Sequence, residues 1–190
     1  GLSTTFADGY FLPELLRMEG IELFNADRTA AALNTPEAAA VLQRWVDAYQ
    51  AGYLPPEAIT AAGDDTVGWF ISGRTAVFPG GGWIINRTTP EVVAAGQWEA
   101  ALGLTGKTGQ YPVGFQFMSV AAQTENPAEA VRLALHLTSS DYQLALAKRV
   151  AVMCSTVACM EDSFWESTPK DLIEKSTLLA AQQMSNGFVG

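Results

Sequence analysis

Three helix starts in this chain share one signature, a polar residue placed directly before proline: Thr35-Pro36, Asn126-Pro127 and Thr168-Pro169. The first side chain can accept from the unpaired N–H groups of a first turn, and proline at the first helical position gives up only an N–H that would lack a partner anyway. Glu37 adds an acid at the positive end of the helix dipole. Beyond Pro36, Ala38, Leu42, Trp45 and Tyr49, with Val41 and Val46 beside them, keep helical spacing up to Gly52. The same reasoning predicts helices from Asn126-Pro127 to about Thr138, from Ser139 or Ser140 to about Arg149, and from Thr168-Pro169 to about Met184.

Between these helices lie short apolar runs with turn residues at their ends. "GYFLPELLRM" (9–18) predicts a short helix entered through Pro13, and "EGIELFNADRTAAALN" a turn, a brief strand and another turn. "GYLPPEA" reads as a linker. Asp64 or Asp65 can cap a short helix carrying Val67, Trp69, Phe70 and Ile71 that ends at Gly73. "RTAVF" reads as a short strand, "QWEAALGL" as another, "TGKTGQYPVG" as a loop and "FQFMSVAA" as a second apolar strand. A helical stretch starts at Trp83, re-initiated at Thr89-Pro90-Glu91. Helices separated by short strands, without repeats or low-complexity tracts, make a helix-rich α/β chain.

The bulk properties narrow the function classes. The chain has 190 residues, 48% hydrophobic and 16% charged, which is enough apolar material for a core. Its net charge of −9 leaves no basic patch to neutralise phosphates, so nucleic acid is not an expected partner, nor is an anionic membrane surface. No run of about 18 apolar residues occurs. The opening Gly1-Leu2-Ser3-Thr4-Thr5 has no initiator Met and no leader pattern, the expectation being a removed signal or a start within a longer protein. Cys154 and Cys159 fit either a short local disulfide or two semi-buried thiols. A zinc site is not expected: four ligands are needed, and the single histidine, His136, stands in no matching motif.

No catalytic constellation stands out, and no cofactor is expected. The glycines of "FPGGGWIINRT" are not followed by the lysine of a phosphate loop and do not fit Gly-x-Gly-x-x-Gly. A nucleophile elbow and a His-Glu-x-x-His motif are absent. His136 reads as a helix-flank residue, Asp64-Asp65 as a solvated cap and Glu161-Asp162 as a polar loop, so an enzyme is not expected. The aromatic residues say more. Trp45 and Trp69 sit at helical spacing on apolar faces and read as core. Tyr10-Phe11, Trp83 and Phe115-Gln116-Phe117 stand at element ends beside turn residues, where rings can stack on the apolar faces of sugars. On its own position Trp83 fits a core ring or a ligand-facing one equally.

Four segments occur in a telling order: "GYFLPELLRMEGIELFN", "NTPEAAAVLQRWVDAYQAGYLPP", "WFISGRTAVFPGGGW" and "PVGFQFMSVAAQTENPAEAVRLALHLTSSDYQLALA". From about Asp8 to Phe188 this order resembles the sugar-binding, maltodextrin-binding-like type of ABC-transporter extracellular solute-binding proteins. The third segment is the most specific, similar to a family pattern Phe-x-x-Gly-Lys-x-Ala-Met, apolar residues, Gly, Trp. The resemblance implies a helix-rich α/β lobe of the periplasmic-binding-protein kind, part of a two-lobe fold that closes about a hinge. Tyr10 and Trp83 would then supply stacking faces, Gly81 and Gly82 would let backbone reach the ligand, and Phe115 and Gln116 would lie near the hinge.

Residues 1–116 would belong mainly to the C-terminal lobe, 117–160 would cross to the N-terminal lobe and 161–190 would return. The family's opening first-lobe segment and its closing helices would lie outside these 190 residues. The implied function is non-enzymatic capture of a carbohydrate, an oligosaccharide by expectation, by a monomer that hands it to a membrane permease. The implied location is periplasmic or extracellular, with a lipid anchor. A sensory or protein-interaction domain using the same fold for a non-sugar ligand is the alternative. Two stretches depart from the family pattern: "LGLTGKTGQYP" replaces a Pro-x-Pro-like strand end, and "AVMCST" carries Ser155 where proline is expected, with the cysteines as a possible substitute.

Overall fold

The computed structural model describes residues 1–88 and 97–189. The chain forms two compact units, each assembled from separated stretches. The first comprises Gly1–Gly80, Gly103–Val113 and Asn186–Gly190, and the second Gly81–Leu102 and Gly114–Ser185. Three of the four crossings fall at a glycine: Gly80-Gly81, Gly103 and Gly114.

In the first unit, helices α1 (Phe11–Met18), α2 (Pro36–Gln50) and α3 (Gly63–Ile71) carry the core. The start of α2 follows the sequence signature. Thr35 is extended, its hydroxyl accepts from the Ala38 N–H at 3.1 Å, and Pro36 opens the helix. α2 and α3 both stop before glycines with positive φ, Gly52 at 76° and Gly73 at 75°, which a side chain would strain. α3 differs from expectation in its cap. Ala62 holds that position, and Asp65 reaches back to accept from the Ala62 N–H at 2.9 Å. Leu16, Ala38 and Val41 form a buried cluster, with Leu12, Ile21, Leu23 and Trp45 packed on it. Phe6, Phe11 and Trp45 meet edge to face at 5.1 to 6.2 Å between centroids. The core reading of Trp45 and Trp69 holds, with Trp69 only 9% exposed.

The opening residues are woven into this unit. Ser3, Thr4 and Thr5 are buried. The Ser3 N–H donates to Val77 O at 2.7 Å, its hydroxyl donates to Thr66 O, and the Thr5 hydroxyl donates to Ala61 O at 2.7 Å. These bonds meet the requirement that buried polar groups be paired. The predicted strand "RTAVF" is reduced to a single parallel bridge between Val77 and Leu2, and the strand expected in residues 19–34 to an antiparallel bridge between Phe24 and Ala31. The regular strands are β1 (Tyr111–Val113), inside the stretch expected to be a loop, and β2 (Gly187–Val189). They run parallel in the register Tyr111–Gly187, Pro112–Phe188 and Val113–Val189.

The second unit holds the 3₁₀ turn Gly82–Arg87, then α4 (Pro127–Leu137), α5 (Ser140–Ala147), α6 (Val157–Met160) and α7 (Leu172–Gln183). The predicted strands "QWEAALGL" and "FQFMSVAA" are irregular. A strand needs a ladder partner, and among the described residues neither run has one. Their large side chains stay exposed instead, Leu102, Leu104, Phe117 and Met118 among them. The helix expected at Thr168-Pro169 begins three residues later. The Asp171 carboxylate accepts from the Glu174 N–H at 2.8 Å, a charged acceptor at the positive helix end that outcompetes the Thr168 hydroxyl. The re-initiation expected at Thr89-Pro90-Glu91 lies outside the described residues.

Cys154 and Cys159 are joined in a disulfide, which resolves the alternatives left by the sequence. Both are buried in one cluster with Ala147, Phe164 and Leu178. Cys159 lies in α6, so the cross-link ties that helix back to Cys154, and Ser155 is tied to Gln143 of α5 by its N–H at 2.7 Å and its hydroxyl at 3.1 Å. Replacing both cysteines by serine is expected to lower stability by about 2 kcal/mol, the chain-entropy value for so short a loop. Urea unfolding of the two proteins measures it, and coincident midpoints would show that the cross-link contributes nothing.

Candidate functional site

The turn after the three glycines places Trp83. Gly81 is extended at φ −74°, ψ 162°, and its carbonyl accepts from the Ile84 N–H at 3.3 Å, starting the 3₁₀ turn. Ile84 and Ile85 anchor this turn inward at 7% and 6% exposure, whereas Trp83 is 41% exposed. The glycines are needed for close approach. A Cβ on Gly81 would stand 2.8 Å from Trp83 Cδ1, and one on Gly82 would stand 2.8 Å from the Ala151 Cβ and closer still to Ser176 Oγ. Gly82 therefore lets the turn settle against α7, and Gly81 lets the indole lie over the backbone. Gly80, in the first unit, folds under the ring of Phe78.

The other predicted residues are placed as follows. Tyr10 belongs to the first unit, at the start of α1, and is 78% exposed; its N–H donates to Asp8 Oδ1 at 3.1 Å. Nearby Glu14 is half-buried, and its carboxyl is held above the usual range by that burial and then by the charge of Asp8. Phe115 and Gln116 are exposed residues of the second unit, and the Phe115 ring meets Phe117 edge to face at 5.0 Å. The structure thus brings Gly81 and Trp83 into contact.

Two features went unread in the sequence. Arg87 lies over the Trp83 ring at 5.7 Å from its centroid, and its i, i+4 spacing from Trp83 in "WIINR" was the available signal. A shallow groove of about 330 Å³ beside the start of α7 is lined by Trp98, Glu99, Lys170, Asp171 and Lys175. Two of its charges are paired across it: Lys175 Nζ stands 2.7 Å from Glu99 Oε1, and the hydrogen bond from Lys175 holds the Glu99 carboxyl below its usual range, while Lys170 pairs with Glu174. Among the described residues no three His, Cys, Asp or Glu side chains gather as a metal site would require, and no helix is long and apolar enough to cross a membrane.

The chain is similar throughout to α/β proteins of the periplasmic-binding-protein kind. The chain belongs to the bacterial extracellular solute-binding protein family, whose model matches residues 2–170. Among solved structures, an oligosaccharide periplasmic-binding protein assigned in Synechococcus sp. MITs9220, crystallised with zinc, is similar over the whole chain and 49% of its own, with TM-score 0.77 and 26% identity. Maltose-bound MalE3 of T. maritima aligns over 94% of this chain and 46% of its own, with TM-score 0.66 and 20% identity. The cyclic α-maltosyl-1,6-maltose binding protein of Arthrobacter globiformis covers the whole chain and 48% of its own, with TM-score 0.58 and 22% identity. The last two, at such identity, speak to the fold alone. The chain spans about half the length of the structures it matches. A comparison with curated proteins finds no significant match.

Proposed function

We propose that this chain is part of the ligand-capturing component of an ABC importer for a carbohydrate, an oligosaccharide in particular, which it delivers to a membrane permease. The observation that carries the reading is Trp83, an exposed indole on a glycine turn in a chain of the solute-binding family. An indole offers a broad apolar face for the C–H face of a pyranose, while nearby backbone groups meet its hydroxyls. Within the second unit Phe115 and Gln116 are further proposed ligand contacts, and Gly81 and Gly82 shape the turn that presents Trp83; Tyr10 is the stacking residue proposed for the first unit. The role is binding without catalysis, by a monomer outside the cytoplasm held by a lipid anchor. In the lobe assignment that accompanies this reading, residues 117–160 cross to the N-terminal lobe.

The test is a thermal-shift panel on the full-length protein. An oligosaccharide at one hundred times its Kd is expected to stabilise by about 2.7 kcal/mol. Trp83→Ala is expected to remove most of that shift while leaving the ligand-free Tm in place. A response to amino acids, polyamines or metals with silence across the sugars would overturn the assignment.

A further inference from the structure

Cys154 and Cys159 are 3% and 1% exposed, so their disulfide offers almost no surface to a reagent in solution. Ala147 of α5, Phe164 of the 3₁₀ turn Ser163–Glu166 and Leu178 of α7 are buried around it, with Leu144, Met160 and Trp165 packed against them. The segment that carries the two cysteines is pinned from several directions. Thr156 Oγ1 and Ser140 Oγ lie 2.8 Å apart in a hydrogen bond, and the Trp165 indole N–H donates to the Cys159 carbonyl at 2.7 Å. Lys148, just past α5, stands 3.4 Å from Asp162 Oδ1 and lies over the Phe164 ring at 5.4 Å from its centroid. The sulfurs come within reach only when this cover opens.

Disulfide exchange needs a thiolate to reach a sulfur and attack it. A thiolate is charged, and a cover of aliphatic and aromatic side chains would strip its water without replacing it. We infer that the redox state of this pair is set before the second unit closes and does not change afterwards. While the chain is open, one cysteine thiolate attacks a disulfide-bearing oxidant, forms a mixed disulfide and releases one thiolate of the oxidant. The second cysteine thiolate attacks the cysteine sulfur of that mixed disulfide, closes the cross-link and releases the other thiolate. Two protons leave the cysteines and two electrons pass to the oxidant. Packing of α5 and α7 over the product then shields it from the reverse reaction. The pair is a structural lock, unlike a redox sensor, whose cysteine must be accessible to solvent. The inference is independent of what the protein binds.

The full-length protein tests this in both directions, with iodoacetamide trapping and mass spectrometry of the peptide that holds both cysteines. In dithiothreitol the folded, oxidised protein is expected to lose the cross-link at least about a hundredfold more slowly than the same chain unfolded in urea, since reduction must wait for the cover to open. Leu178→Ala, which thins that cover, is expected to speed reduction of the folded protein about tenfold. In the other direction, the chain refolded in dithiothreitol and then moved to oxidised glutathione is expected to keep both thiols for as long as it stays folded. A reduced chain that does not refold at all would support the same order of events. Reduction of the folded protein within about tenfold of the unfolded rate, or in Leu178→Ala no faster than in the parent, would refute the enclosure. Prompt closure of the cross-link by glutathione in the folded, reduced protein would overturn the order of oxidation and folding.

Discussion

Leu16→Ala is expected to cost about 3 kcal/mol, within the range measured for truncating a buried leucine. Leu16 is 2% exposed and lies among Ala38 and Val41, with Leu12, Ile21, Leu23 and Trp45 around it. Alanine removes the apolar contacts of the isobutyl group and leaves a void that α1 and α2 can close only in part. Against a typical domain stability of about 5–15 kcal/mol, that is a large share. Leu16→Met, which keeps most of the volume, should cost less than about 1.5 kcal/mol. Denaturant unfolding of both variants measures the difference. A loss below 1 kcal/mol for the alanine variant would mean that the α1–α2 contact is not the centre of the first unit's core.

Gly106→Ala is expected to destabilise by about 2 kcal/mol, the middle of the range for overpacking, although the added group is only a methyl. A Cβ at this position would stand 2.5 Å from the Met18 carbonyl oxygen and 2.7 Å from its carbon. Those are backbone atoms of the last turn of α1, which cannot swing aside as a side chain would. The same turn is clasped by Thr108, whose N–H and hydroxyl both donate to Met18 O, at 3.1 and 2.8 Å. Pushing the loop away breaks both bonds and leaves a helix-end carbonyl without them. Thr108→Val, which removes only the hydroxyl, should cost about 1 kcal/mol. If Gly106→Ala proved no worse than Thr108→Val, the close approach of this loop to α1 would be refuted.

How much of this was legible in the sequence depended on whether the cause was local. The helix start at Thr35-Pro36 was readable because cap, proline and dipole all act within four residues; at Asn126-Pro127 proline and the acidic Glu129 mark the start, and Asn126 makes no side-chain cap bond. The Thr168-Pro169 start missed by three residues because two capping side chains compete and charge decides, a comparison that proline obscured. The strands were misread for another reason: apolar alternation shows what could pair, but pairing needs a partner whose position a run such as "FQFMSVAA" does not encode. Conversely, Tyr111–Val113 looked like loop because Pro112 interrupts it, yet β2 supplies a parallel neighbour from far along the chain. At the candidate site the glycine run and Trp83 stood out in the sequence. The packing of Gly82 on Ala151 and Ser176 did not, because those residues are distant in sequence.

The crossing path of the chain also sets an order of events during synthesis. β1 emerges from the ribosome well before β2, and the first unit takes in residues from 1–80, 103–113 and 186–190. Its helices α1 and α2 can pack early, but the β1 ladder waits until Gly187–Val189 has been made. Such long-range closure is slow relative to local helix formation. A nascent chain stalled after residue 180 would thus hold the α1–α2 core with Tyr111–Val113 still unpaired, a partly built state that persists until Gly187–Val189 closes the ladder.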